Sequence, residues 1–450
     1  MVPSFQIDGR RFIEKKHRPP LPPGPKPLPI LGNVLSIDIN APWLTYTAWR
    51  AEYGDLIFMR ILGQEVVLLN SQSVAQELLD RRSFIPIDHS FGYSFNFAFI
   101  GYGDVWRLSR RLFHQTFRPL SALKFRPMQI KRAREMVANL IDDPQNYYSH
   151  FGTFTLSVVM QSVYDYETSA RDDPMVRLVE DVMAYRLSVI TQERVILLKA
   201  FPFLLKLPDW CWGSKAENPL LNLTSMVAEN LQRLEKQNEA SKASFETALK
   251  NSATTAIMVF VLAMVLHPDA QERAQAEIDS VVGKDRLPAF EDRESLPYVA
   301  ALMHETLRWQ PVVPLGMSHA TSSADIYEGY YIPKGATVIC NTWALSRDEK
   351  RYPDASSFIP ERFIDVNGAL KDDDPADYIF GLGRRICPGR YSADASVWSA
   401  IVTLLATVNI SYAKDDQGKV IDFTPVYTSG TTRITARPHI RPGLENLMHE

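Results

Sequence analysis

Phe380-Gly381-Leu382-Gly383-Arg384-Arg385-Ile386-Cys387-Pro388-Gly389-Arg390 is the stretch that decides how the chain is to be understood. Its glycines permit tight backbone turns that a side chain would block. Pro388 and Gly389 keep the backbone compact beside the sulfur. A thiolate needs positive charge and amide donors close by, and Arg384, Arg385 and Arg390 offer the charge. Beyond Arg390 the chain becomes rich in Ala, Val and Leu over residues 397–408, which places Cys387 just before a buried helix. A lone cysteine is ordinarily a small buried hydrophobe. Here Phe, Gly, Arg, Cys and Gly stand at five fixed places, a coincidence with odds on the order of one in ten thousand from average usage.

Working outward, Glu305 and Arg308 are three residues apart, so they share a helix face and can pair. An exposed pair of this kind contributes under about 1 kcal/mol. Trp106 and Arg110 are four apart, which sets an indole N–H and a guanidinium on one face. That combination suits a carboxylate, although a core Trp beside a surface Arg has the same spacing. His319 follows Pro314-Leu315-Gly316-Met317-Ser318 and, on its own, is as readily an ordinary surface histidine.

Together these segments resemble the cytochrome P-450 superfamily. The cysteine stretch matches FxxGxRxCxG, from Phe380 through Gly389. Glu305-Thr306-Leu307-Arg308 matches ExxR, Pro360-Glu361-Arg362-Phe363 matches PERF, and Trp106 with Arg110 matches WxxxR. The similarity runs from about Pro19 to the C-terminus and is closest to fungal microsomal members. It implies a mainly α fold with a minor β part, a helical bundle around haem b plus small β-sheets. It implies Cys387 as the axial iron ligand, pushing electron density onto the metal. Glu305, Arg308 and Arg362 would form a buried network, and Trp106, Arg110, His319 and Arg385 would hold the haem propionates. The expected activity is monooxygenation of an apolar small molecule with O2. Electrons would come from a separate NADPH-dependent flavoprotein reductase, since no GxGxxG fingerprint is visible in this chain.

Composition agrees with a globular protein: 46% hydrophobic, 22% charged, with a net charge of −3 that implies no attraction to nucleic acid. Three cysteines, Cys211, Cys340 and Cys387, are too few and too odd for a disulfide framework. Three parts are expected: a basic segment 1–18, a proline-rich hinge 19–33, and one catalytic domain 34–450. The proline run, on sequence alone, is equally a stiff surface linker or SH3-type ligand on one reading and a hinge that sets a catalytic domain against a membrane on the other. The longest apolar run, residues 256–266, falls short of the roughly 20 residues of a membrane span and fits a buried core helix. The resemblance implies the endoplasmic reticulum membrane. With no anchor visible ahead of the prolines, attachment would be peripheral, through the basic segment, or absent. The sequons at Asn222 and Asn409 are read as accidental.

A hairpin is expected around Gly63-Gln64, a helix over residues 73–82, and mostly helix over residues 105–234. Pro268 starts a helix that stops at Gly283, and Pro297 starts another that ends before Pro311. Residues 325–341 return to β structure, with a turn at Pro333-Lys334-Gly335. The aromatic stretch 91–99 is either core or a wall of the substrate pocket.

One region departs from the resemblance. Counting back from His267-Pro268, the acid–alcohol pair of the central helix falls at Asn251-Ser252, with Thr254-Thr255 close by and no carboxylate in register. Ser252 and Thr254 are therefore the candidate catalytic hydroxyls, and Glu246 lies about one and a half turns too early. Residues 238–251 are polar, and Glu246 to Asn251 stand where the resemblance implies apolar residues. The expectation drawn from this is a shortened central helix, and with it a second hypothesis: a haem-binding chain with impaired or no monooxygenation, spending electrons on peroxide.

Overall fold

The computed structural model describes residues 18–82, 85–86, 101–177, 243–415, 417–421, 426–427, 432–433 and 437–440. The aromatic stretch 91–99, most of the basic segment, Cys211 and the Asn222 sequon lie outside them.

The described chain is mainly helical with small sheets, as expected. Helix α1 (Pro42–Tyr53) leads into strands β1 (Leu56–Ile61) and β2 (Gln64–Leu69). They pair antiparallel through a two-residue turn in which Leu62 and Gly63 both have positive φ. That turn geometry matches the right-handed twist of the strands it joins. A short helical segment, Gln72–Ala75 running into Gln76–Arg81, follows. After β3 (Ile85–Pro86) come three helices, α2 (Asp104–Phe117), α3 (Arg126–Asp142) and α4 (Tyr147–Tyr164).

The second half begins with α5 (Ala243–Leu266), α6 (Pro268–Val281) and α7 (Pro297–Trp309), the last two each opening on proline as the sequence predicts. Strands β4 (His319–Ala320), β5 (Asp325–Tyr327), β6 (Tyr330–Ile332) and β7 (Thr337–Cys340) lead to α8 (Arg390–Thr407) and β8 (Val408–Ser411). Short pairs β9 (Val426–Tyr427) with β10 (Thr432–Arg433), and β11 (Arg437–Ile440) with β8, close the chain. The largest sheet has the order β1-β2-β7-β4-β3, with β2 and β7 parallel. Strand β7 thus ties the two halves of the sequence together.

The main core gathers α3, α4, α5, α7 and α8. Ile257, Phe260, Leu262 and Ala263 of α5 are fully buried against Trp398, Ile401 and Leu405 of α8. Helix α8 is buried nearly all round, so its Ser399, Thr403 and Thr407 hydroxyls donate to carbonyls three or four residues back. Among the described residues no single helix is long and apolar enough to cross a membrane. The apolar run at 256–266 is core, as expected.

Helix α5 is continuous for 24 residues and includes residues 243–251 of the polar stretch, so that polarity does not break the helix. Ala, Glu, Leu and Lys favour helix whether or not their face is buried. The proline run is also no free linker. Pro23 O accepts from Phe58 N at 2.9 Å and Pro20 O from Tyr331 N at 2.8 Å, so it lies along β1 and β6. A Cβ on Gly24 would sit 1.9 Å from the Phe58 carbonyl oxygen, so only glycine permits this approach.

Candidate active site

The cysteine loop is shaped by its glycines. Gly381 and Gly383 take φ of +81° and +64°, a region that L side chains rarely adopt. Gly383 has a second constraint. Its Cβ position lies 2.3 Å from the carbonyl oxygen of Leu79, so the loop packs directly on the backbone of the 76–81 segment. Cys387 N donates to Phe380 O at 2.8 Å, which closes the loop, and Ile386 N donates to Gly383 O at 3.0 Å. Gly389, buried, then begins α8.

Burial pushes the Cys387 thiol up, while the Gly389 amide, Arg110 and Arg390 pull it down. The nearby charge is therefore not the expected set. Arg384 is exposed, and Arg385 turns to lie over the Trp106 ring, 4.0 Å from its centroid. Arg110, from α2, takes the place beside the sulfur, its Nη1 donating to Ile386 O at 2.6 Å. The structure thus brings Trp106, Arg110, Arg385 and Cys387 into one cluster. Burial lowers the pKa of both arginines, and Arg110 adds to the effect on Arg385, which falls to about 10. Among the described residues Arg110 has no carboxylate partner. Two crowded, half-buried guanidiniums beside an indole are a donor set that a dianionic ligand would relieve. Cys387, Arg110, Arg385 and Trp106 fit a haem by this test. His319 is buried within β4, between Pro86 of β3 and Val338 of β7, so the surface-histidine reading falls.

Behind the loop, Glu305 and Arg308 are wholly buried. Arg308 is bidentate on Glu305, Nε to Oε2 at 2.6 Å and Nη2 to Oε1 at 2.8 Å. Its remaining donors reach the carbonyls of Ser346, Ala355 and Ser357 at 2.9, 2.8 and 3.0 Å. Glu305 Oε1 also accepts from Ile359 N at 2.7 Å and from Arg362 Nε at 3.2 Å. Arg362 continues to the Pro353 and Asp354 carbonyls. The solvated-pair reading of Glu305 and Arg308 therefore does not hold. The three carbonyls that saturate Arg308 carry no signal in the sequence, because any residue type supplies a carbonyl.

The two candidate catalytic hydroxyls part company. Thr254 is buried and its Oγ1 lies 2.7 Å from Thr155 Oγ1 on α4. Thr155 in turn donates to the Phe151 or Gly152 carbonyl, so Thr254 is occupied as a helix-to-helix bond. That bond gives Thr254 a structural part in the packing of α5 on α4. Ser252 is half-buried on the same helix.

The Cytochrome P450 family model matches residues 22–252 and 243–436. Similar proteins include a cytochrome P450 monooxygenase of Armillaria gallica, 36% identical over 441 residues, 88% of this chain and 85% of the relative. Another, from Coprinopsis cinerea, is 34% identical over 446 residues, 89% and 84% of the two chains. A third, from Postia placenta, is 34% identical over 466 residues, 93% and 89%. All three are named monooxygenases, and the hypothesis of an impaired chain gains no support from them.

Proposed function

Because the chain belongs to the cytochrome P450 family and is a P450-type monooxygenase, we propose that it works with haem b held by the Cys387 thiolate. In this reading one oxygen atom of O2 enters an apolar organic substrate and the other leaves as water, with two protons and two electrons consumed. The electrons come from a separate NADPH-dependent flavoprotein reductase. When bound, the haem supplies the redox chemistry of O2 activation.

The protein's own residues bind and orient. Arg110 and Arg385 pair with the two propionates, and Trp106 flanks them with its indole. His319 joins this set from the sheet side. Glu305, Arg308 and Arg362 hold the backbone behind the loop. Ser252 makes no hydrogen bond among the described residues and is the hydroxyl left to hold a proton-carrying water. The observation that carries the reading is Arg110 Nη1 at 2.6 Å from Ile386 O, because it joins the WxxxR helix to the cysteine loop at the residue next to the sulfur.

The test is the spectrum of the reduced protein with CO. A red-shifted Soret band, lost in Cys387→Ser, is expected; a serine variant that keeps the band refutes the ligand assignment. Attachment to the endoplasmic reticulum surface belongs to the same proposal. Its supports are the basic residues Arg10, Arg11, Lys15 and Lys16 and the nearby exposed Ile30, Leu35 and Ile39. Carbonate extraction releases a peripheral protein, and retention in the pellet would overturn that mode of attachment.

A further inference from the structure

Helix α7 carries Glu305 and Arg308, yet its own start lacks a local cap. Leu296, at the N-cap position, has no side-chain acceptor, and the first helical residue is Pro297. The first amides of a helix need partners from elsewhere. Pro297 has no N–H to satisfy. Ala300 N donates to Leu296 O at 3.1 Å. The two amides between them, Tyr298 N and Val299 N, both donate to Glu277 on α6, to Oε1 at 2.9 Å and Oε2 at 3.0 Å. One half-buried carboxylate from a neighbouring helix thus completes the account, with its charge at the favourable end of the helix dipole.

The same face of α6 holds the other half of the inner network. Arg273, one turn before Glu277, pairs with Glu361, and Tyr298 Oη donates to Glu361 Oε1 at 2.9 Å. Glu361 precedes Arg362, whose Nε reaches Glu305. Helix α6 therefore grips both the start of α7 and the Pro360–Phe363 turn from outside, while Glu305 and Arg362 join them within. Every residue of α7 from Val299 to Trp309 is buried, and Glu305 lies about two turns from the gripped amides. A shift of the helix along its axis would carry the Glu305–Arg308 pair with it and strain the bonds that reach the pair from outside, Ile359 N and Arg362 Nε to Glu305 and Arg308 to the Ser346, Ala355 and Ser357 carbonyls.

We infer that Glu277 is a positioning residue: its carboxylate sets the register of α7, and through Glu305 and Arg308 it governs how firmly the cysteine loop retains haem. This rests on the haem reading above. Gln271 provides a matched control. It lies on the same helix and also makes two hydrogen bonds, Nε2 to Ile410 O at 3.0 Å and Ile410 N to Oε1 at 2.8 Å, but these go to β8 and not to α7.

The experiment compares the holoprotein with Glu277→Ala, Glu277→Gln and Gln271→Ala. It reads haem transfer to excess apomyoglobin, amide hydrogen exchange and the thermal midpoint. Loss of a helix cap corresponds to roughly a three- to tenfold change in equilibrium, so Glu277→Ala should release haem faster by that factor. Exchange should rise at residues 298–299 and extend to 305–309. Glu277→Gln, which keeps one carbonyl acceptor, should fall between the wild type and Glu277→Ala. It carries the comparison if the alanine variant does not fold. Gln271→Ala should lower the thermal midpoint comparably and leave haem release near the wild-type rate. Equal haem release from the Glu277 and Gln271 variants at matched midpoints would overturn the inference, as would unchanged exchange at 305–309. A wild-type protein without a thiolate-haem spectrum would instead count against the Cys387 assignment, and the exchange comparison would still decide the role of Glu277.

Discussion

Replacing Glu305 with alanine tests the buried network most directly. Glu305 is wholly buried and accepts four donors: Arg308 twice, Ile359 N and Arg362 Nε. Its removal leaves Arg308 with three carbonyl partners but no counter-charge in a site that water does not reach. Breaking a buried pair by deleting one partner costs about 3–5 kcal/mol. The Ile359 amide, left without its acceptor, adds about 1–3 kcal/mol. Against a total stability of roughly 5–15 kcal/mol this is a large fraction. Removing Arg308 as well should not restore what is lost, because the Ser346 and Ser357 carbonyls and the Ile359 amide would lose their partners, the Ala355 carbonyl alone keeping another donor, Arg347 Nη1. The assay is urea unfolding of the single and double variants alongside the CO spectrum of the reduced protein. Glu305→Ala should be recovered unfolded or free of haem. A folded, haem-replete variant with a urea midpoint near the wild type would refute the reasoning.

Gly383→Ala should abolish haem binding, since a Cβ meets both an unfavourable φ of +64° and the Leu79 carbonyl at 2.3 Å; a normal CO spectrum in this variant would contradict that geometry. Thr254→Val should cost only about 1 kcal/mol, the worth of one hydrogen bond, and leave the ratio of product to NADPH consumed unchanged; a fall in that ratio would show Thr254 to be a catalytic hydroxyl. Acid should destabilise the protein in part through Asp292. The Arg286 guanidinium holds this carboxyl below its ordinary 3.8, with burial opposing and the Ala289 amide assisting. A group with a depressed folded pKa contributes stability above its unfolded value and loses it as pH falls through the folded one. Asp292→Asn should therefore flatten the stability curve below pH 3.8 and change its slope little at neutrality, as read from thermal midpoints across pH.

The elements that were legible in the sequence are those whose causes are local. Pro268 and Pro297 begin helices because proline has no N–H to lose there. The hairpin is legible from Gly63, which takes a positive φ, although the turn falls at Leu62-Gly63 and Gln64 already belongs to β2. The cysteine loop is recognisable because its glycines and Cys387 fall within eleven consecutive positions. By contrast, Arg110 and Ile386 are 276 residues apart, and their contact depends on how α2 is laid against the loop. The same limit explains Arg384, which the sequence offers as a charge for the thiolate and the fold turns to solvent.

Polar side chains mislead in a second way. Thr254 has the right hydroxyl and nearly the right place for catalysis, and only the presence of Thr155 on α4, 99 residues away, shows it to be occupied. Glu277 shows the opposite error. In sequence it is one charge among several on an amphipathic helix, for which a solvated face is the natural reading. Its partners are two backbone amides, and amides belong to every residue, so no motif could announce them. The Glu305–Arg308 network has the same character, with seven of the network's contacts made to backbone groups, counting Trp309 Nε1 on the Ser356 carbonyl. Sequence patterns identify which side chains have chemistry to offer. The partners that use it up are drawn largely from the backbone, and only the fold reveals which side chains remain available for a ligand.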